Sequence, residues 1–290
     1  MFCMRIMSET TASGLPRRPP PPLIVTVWGS DVLVDPVRNR LVRWEVSRTL
    51  HKADMITCDA SHIVPAIQSL SGSKADIRIV NFGIDTRLFA PKSPDNRLKE
   101  QLGLVGKRVV ISTRSLRPIY DIATLIRSIP HVLSNVPEAA FVIVGGGPEG
   151  DRLRALAASL GVADNVRFVG PVPNSQLPSY LCSSDVYVST SLSDAGIAAS
   201  TAEAMSCRLT IVVSDFGDNR EWVSDGAGFL FPCGDHEALA DRLVQVLTNP
   251  LIKTSAASVN RDIVLERCDR DTEMAKMEQY YRELSSRAVT

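Results

Sequence analysis

One segment of the chain joins a seat for phosphate to a carboxylate suited to sugar hydroxyls. It reads Asp194-Ala195-Gly196-Ile197-Ala198-Ala199-Ser200-Thr201-Ala202-Glu203-Ala204-Met205. A Gly-containing turn leads into an apolar helix. The first turn of a helix presents unpaired N–H groups and partial positive charge, which suit phosphate oxygens. Glu203 stands among small and apolar neighbours, where a lone carboxylate needs a partner. Sugar hydroxyls can be that partner, because they donate hydrogen bonds. Together the two features predict a site for a nucleoside diphosphate and its ribose.

Two further clusters carry chemistry. Ser112-Thr113-Arg114-Ser115-Leu116-Arg117 follows a predicted strand, which puts Arg114 and Arg117 at its carboxyl edge. Guanidinium forks match phosphate oxygens bidentately and would neutralise a leaving diphosphate. Gly145-Gly146-Gly147-Pro148-Glu149-Gly150 fits G-x-G-x-x-G and raises a nicotinamide or flavin dinucleotide site. That site expects an acid closing the next strand, but the strand ends Phe168-Val169-Gly170, and an earlier strand and helix precede the fingerprint. A tight strand-to-helix turn is the favoured reading. The four histidines, His51, His62, His131 and His236, have no triad or metal spacing, and no P-loop, HExxH or nucleophile elbow occurs.

The elements that must position these residues alternate. Strands are predicted at 23–28, 55–58 and 77–80, with a helix at 63–70 and an amphipathic helix at 37–53. In that helix Val37, Leu41, Trp44 and Leu50 form the apolar stripe and Arg38, Arg40, Arg43, Arg48 and Lys52 lie between them. Residues 81–94 are rich in turn formers and read as a linker. A second series follows, with strands at 108–113, 140–144, 166–169, 185–189, 209–213 and 228–231. Its helices are placed at 122–133, 150–160, 176–182, 199–206, 220–223 and 238–247. Strict alternation with short connections predicts a parallel sheet with helices on both faces and ligands at the carboxyl ends of its strands. A break near Asn249-Pro250 precedes a last helix at 271–287. The tail 1–22 ends Pro16-Arg17-Arg18-Pro19-Pro20-Pro21-Pro22 and is expected to be disordered or extended.

Composition excludes several classes. Thirty-two basic residues balance 32 acidic ones, so no global field draws the chain to nucleic acid. Six scattered cysteines without CxxC pairs argue against a zinc site or a disulfide framework and suit a reducing cytoplasm. No apolar run nears the roughly 18 residues of a membrane span. The arginine-rich face of 37–53 leaves peripheral contact with lipid head groups open, at the inner face of the membrane.

In this order the segments resemble the family 4 (group 1) retaining glycosyltransferases of the GT-B fold, which have two Rossmann-like domains. The resemblance rests on Gly29-Ser30-Asp31-Val32, Ala53-Asp54-Met55-Ile56 and Asn81-Phe82-Gly83-Ile84-Asp85…Phe89-Ala90-Pro91. It continues through Phe141–Pro148, Val166–Val172, Ser184–Ser191, Glu203-Ala204-Met205 and Gly228–Pro232. It implies an α/β fold: a complete Rossmann-like donor-binding domain at 93–265 and a partial, truncated acceptor-side domain with linker at 23–92. The helix at 266–290 is expected to pack back on the N-terminal part, and a partner chain could complete that part.

The resemblance further implies transfer of a hexose from a nucleotide-diphosphate sugar to a glycan or lipid-linked acceptor, with retention of configuration and no metal. Glu203 would bond the ribose, and the backbone of Gly196, Ile197 and Ala198 would meet the diphosphate. Val172 would lie beside the base, Arg114 with Arg117 would neutralise the leaving phosphates, and Gly145 and Asp194 join the donor-binding set. Ala195 stands where the family has a second glutamate, Trp28 where a histidine is frequent, and Tyr120 near an expected lysine. Arg208 and Thr210 stand where Gly and Pro are favoured. A non-catalytic nucleotide-sugar-binding remnant or partner subunit is the alternative, with a dinucleotide oxidoreductase third.

Overall fold

A computed structural model of the chain describes residues 2–5, 21–33, 35–72, 74–194, 196–223 and 226–287. It divides into two compact units. One comprises the chain to Gly83 together with the segment from Arg270, and the other comprises Ile84–Asp269.

The first unit contains β1 (Phe2–Arg5), β2 (Leu23–Val27), α1 (Ser30–Leu33), α2 (Asp35–Arg38), α3 (Arg40–Leu50), β3 (Met55–Cys58), α4 (Val64–Ser71) and β4 (Ile77–Ile79). Its sheet order is β1-β2-β3-β4. Strands β2, β3 and β4 run parallel, and β1 pairs antiparallel with β2, Cys3 opposite Val25. Of the tail read as disordered or extended over 1–22, the start is an extended strand, where Phe2–Arg5 hydrogen-bond to β2. Residues 6–20, most of the proline-rich tail, lie outside the described residues.

The structure also reverses the predicted face of the basic helix. The helix breaks at Asn39, whose side chain accepts from the Leu41 and Val42 N–H groups and so caps α3. Val46 and Leu50 are the buried residues of α3, whereas Val37, Leu41 and Trp44 are 77%, 74% and 58% exposed.

The second unit begins at Ile84, not at 93, because the supposed linker enters its core. Ile84 bridges to Asp269, and Phe89 is fully buried. Its elements are α5 (Asn96–Gln101), β5 (Arg108–Ser112), α6 (Ile122–Asn135), β6 (Ala139–Val144), α7 (Gly150–Ser159), β7 (Val166–Gly170), α8 (Leu177–Cys182), β8 (Val186–Ser189), α9 (Ala199–Ser206), β9 (Thr210–Ser214), α10 (Asn219–Trp222), β10 (Gly228–Phe231), α11 (His236–Thr248) and α12 (Pro250–Arg267). Six parallel strands take the order β10-β9-β8-β5-β6-β7.

Alternate strand residues serve opposite faces, as strand geometry requires. Val110, Phe141, Val186 and Val212 pack with α6, α7 and α11, while Val109, Val142, Tyr187 and Ile211 pack with α8, α9 and α12. The result is a Rossmann-like layer structure whose strand order reverses between β5 and β8. The chain then returns to the first unit as α13 (Arg270–Arg287), which packs Leu284, Tyr280 and Tyr281 against Ile24 and Met55.

Candidate functional site

In an open parallel sheet, the gap where strand order reverses leaves a crevice at the carboxyl ends, and ligands bind there. Here that crevice lies between the loops after β5 and β8. The loops are tied together: Thr190 Oγ1 donates to the Tyr120 carbonyl and the Leu192 N–H to the Ile119 carbonyl, both at 2.8 Å. Ser214, at the end of β9, donates to the Ser191 carbonyl at 2.5 Å and fixes the floor.

Arg114 enters this crevice and is only 8% exposed. Its guanidinium donates to Asp194 Oδ1 at 2.5 Å, Ser200 Oγ at 3.2 Å and Ser191 Oγ at 3.4 Å, and lies 4.1 Å from the Tyr120 ring centre. Burial pushes the Asp194 carboxyl up, and the Arg114 charge and hydrogen bond oppose that rise. Burial also raises the Tyr187 hydroxyl, which remains a neutral donor to Ser200 Oγ at 2.8 Å. Ser112 Oγ, Thr113 Oγ1, Arg114 Nε and Ser189 Oγ are buried at the same strand ends without a protein partner. Buried polar atoms are nearly always satisfied, so an unsatisfied group of four marks a place where a ligand can complete the bonding.

Helix α9 starts beside Ser200, and no side chain caps its first turn, because the N-cap position is Ala198. Its leading N–H groups are therefore available to an anion. Gly196 and Ala198 are buried and Ile197 is half-buried on the approach; Ala195 lies outside the described residues. Glu203, one turn on, is half-buried between Ala202 and Ala204. Burial pushes its carboxyl from 4.5 up to about 7. Among the described residues no hydrogen bond or ion pair reaches that carboxylate, so it offers full accepting capacity.

The glycine turn has a different use. A Cβ on Gly145 would sit 2.7 Å from the Arg114 carbonyl oxygen, and one on Gly147 would sit 2.3 Å from that of Leu116. The Leu116 N–H donates to the Gly146 carbonyl, and the Glu149 N–H donates to the Leu116 carbonyl, each at 3.0 Å. The backbone of residues 114–116 lies directly against these glycines, which accounts for them by close packing. Gly145 thus acts through Arg114, by letting its loop approach.

The remaining predicted residues are dispersed. Arg117 is exposed ahead of a 3₁₀ turn at Pro118–Tyr120, outside the Arg114 cluster. Val172 follows the edge strand β7, half-buried, next to Pro171, whose ring lies 3.5 Å from a Cβ placed on Gly146. Sequence reasoning missed Ser191, Ser200 and Tyr187. Their signal was Ser and Tyr at the mouths of otherwise aliphatic elements.

The sequence profile of "Glycosyl transferases group 1" matches residues 95–261. The chain belongs to this family. The chain is 30% identical over 219 residues to a GDP-mannose-dependent alpha-(1-6)-phosphatidylinositol monomannoside mannosyltransferase of Mycolicibacterium smegmatis, covering 72% of the chain and 57% of that relative. It is 24% identical to N-acetyl-alpha-D-glucosaminyl L-malate synthase of Bacillus anthracis, covering 89% and 67%. The chain thus spans under two thirds of the length of the first of these curated relatives. Anabaena HepE in complex with UDP superposes with a TM-score of 0.80 at 22% identity, over 91% of the chain and 72% of HepE. Sucrose-phosphate synthase from Thermosynechococcus elongatus gives 0.76 at 22%, over 91% and 68%. These likenesses fix the GT-B fold. No helix among the described residues is long and apolar enough to cross a membrane.

Proposed function

We propose that this group 1 transferase moves a hexose from a nucleotide-diphosphate sugar to a hydroxyl of a glycan or lipid-linked acceptor, with retention at the anomeric carbon. GDP-mannose is the first donor to test, because several relatives are named for it. One observation carries the reading: at the strand-order reversal the Arg114 guanidinium lies 3.2 Å from Ser200 Oγ, in the first turn of α9, whose start has no side-chain cap.

In the proposed complex Glu203 accepts from the ribose hydroxyls, and the backbone of Gly196–Ala198 with the first turn of α9 donates to the diphosphate. Val172 lies beside the base. Arg114 exchanges Asp194 for the leaving phosphates, and Arg117, whose side chain is exposed, adds charge from outside. The bond from the anomeric carbon to the phosphate oxygen breaks, and its electron pair stays with the diphosphate. The acceptor oxygen attacks the same face, and its proton passes to the departing phosphate oxygen. Fixed donors aimed at that developing charge stabilise it, so the arginines do the work a metal would otherwise do.

The same reading places the protein in the cytoplasm, at the inner membrane face when the acceptor is a lipid. The exposed Val37, Leu41 and Trp44, with Arg40 and Arg43 between them and Arg48 beside the Trp44 ring, suit peripheral contact with anionic head groups. The Arg114–Asp194 pair supports a second reading, nucleotide-sugar binding without transfer.

The test is incubation with GDP-mannose, then with UDP-glucose, and an acceptor series, followed by NMR of the product. An axial product linkage and free nucleoside diphosphate are expected. Binding of both donors with no product from any acceptor would leave the second reading in place, and an equatorial product would overturn retention.

A further inference from the structure

The first unit holds a cavity that the donor chemistry does not use. It encloses about 330 Å³ and is lined by Thr26, Trp28 and Phe82 together with Met274, Met277, Glu278 and Tyr281 of α13. That volume is at the small end of ligand pockets.

Its aromatic wall is built at a cost. Phe82 has φ +49°, inside the left-handed region that bulky residues avoid. There its ring stacks on Trp28, with centroids 4.5 Å apart and planes 24° from parallel. The adjacent Asn81 N–H donates to Glu273 of α13 at 3.0 Å, which pins the strained turn against the opposite wall. Strain maintained this way concentrates where a side chain is needed in one orientation. Trp28 remains 48% exposed and Met274 38% exposed, so the stack and one thioether face the opening.

The chemistry of the lining selects its occupant. The Thr26 hydroxyl is already bonded to Thr57 Oγ1 at 2.8 Å, and Glu278 pairs with Arg282 at 3.6 Å. The remaining polar groups of the lining are the Trp28 N–H, the Tyr281 hydroxyl and the Glu278 carboxylate, few for a free sugar with a hydroxyl on nearly every carbon. Among the described residues no cation lines the cavity, so a phosphate would face the Glu278 carboxylate without a countercharge. Three aromatic rings, of Trp28, Phe82 and Tyr281, and two flexible thioethers suit an aliphatic chain, since thioether side chains adapt to irregular apolar shapes.

We propose that this cavity binds the aliphatic chain of a lipid-linked acceptor. The inference rests on the transferase reading and narrows its acceptor to one with a hydrocarbon tail.

The test uses the full chain labelled with ¹³C at the methionine methyl groups, of which there are seven. Met274 and Met277 are assigned through Met274→Leu and Met277→Leu. Octyl α-mannoside below its micelle concentration is expected to shift both methyl signals and to leave that of Met205, in the second unit, in place. Methyl α-mannoside at the same concentration is expected to shift neither. Met274→Lys is expected to weaken the octyl mannoside at least tenfold with GDP binding unchanged. Unmoved Met274 and Met277 signals, or equal shifts with the methyl glycoside, would overturn the proposal. Transfer to octyl mannoside with those signals unmoved would overturn the cavity alone. Shifted signals without transfer to any acceptor would uphold the cavity and count against the transferase reading.

Discussion

Two turns in the second unit have the same outline and opposite contents. Gly145–Gly150 leads into α7 and Gly196–Ala198 leads into α9, each after the carboxyl end of a parallel strand. The first is packed solid, with the backbone of residues 114–116 lying on its glycines and carboxylates at Glu149 and Asp151 in its first turn. Glu149 is buried and paired with Arg152, so an incoming phosphate would meet negative charge. The second turn has no side-chain cap, faces Arg114 and the buried serines, and has a carboxylate one turn along that is without a partner among the described residues. The better glycine fingerprint is therefore the structural one. Spacing shows where a backbone can turn tightly, and the occupant of the turn decides whether a ligand can enter.

Removing the cation should break this contrast most severely. Arg114→Ala is expected to lower transfer by at least about 10²-fold, the usual scale for losing one fixed donor to transition-state charge. The check is the initial rate with GDP-mannose. Its folded structure should survive by circular dichroism, because Asp194 keeps 16% side-chain exposure to water.

The packed turn should fail differently. Gly147→Ala puts a Cβ 2.3 Å from the Leu116 carbonyl, so it is expected to destabilise the fold by at least about 2 kcal/mol in urea unfolding. Nucleotide affinity of the fraction that remains folded should be little changed.

How much of this was legible beforehand follows the physics of each element. Strands β3 and β10 and helix α9 begin and end where alternation and apolar runs place them. Helix α12 escaped because its buried residues are Ala256, Asn260 and Val264, which leave no strong apolar stripe. Asn249-Pro250, read as a break, is a helix start: the Asn249 side chain accepts from the Leu251 N–H and Pro occupies the first turn. The stripe of Val37, Leu41 and Trp44 was misassigned because periodicity finds a face without saying what covers it. The half-burial of Glu203 was readable from its apolar neighbours. The pairing of Arg114 with Asp194 was not, because it joins loops that only the sheet order brings together.

A smaller effect sharpens the contrast through pH. In the ligand-free protein the Glu203 carboxyl is raised above its ordinary value to about 7. Between 4.5 and 7 the folded state then holds more protons than the unfolded one, so stability falls as pH rises through that window. The expected loss is on the order of 1–2 kcal/mol after allowance for partial exposure, and Glu203→Gln should flatten it in melts at pH 5 and pH 8. Only the ionised carboxylate accepts fully from both ribose hydroxyls. GDP-mannose affinity should therefore rise several-fold from pH 6 to pH 8 in the wild type and stay level in Glu203→Gln.

The most direct measurement is calorimetric titration of GDP at pH 8 into wild type, Glu203→Gln and Glu149→Gln. A carboxylate bonded to the ribose contributes about 1.5–3 kcal/mol, so Glu203→Gln should bind about 10- to 100-fold more weakly, while Glu149→Gln, at the packed turn, matches the wild type. Equal affinity in wild type and Glu203→Gln, or a loss confined to Glu149→Gln, would contradict the account.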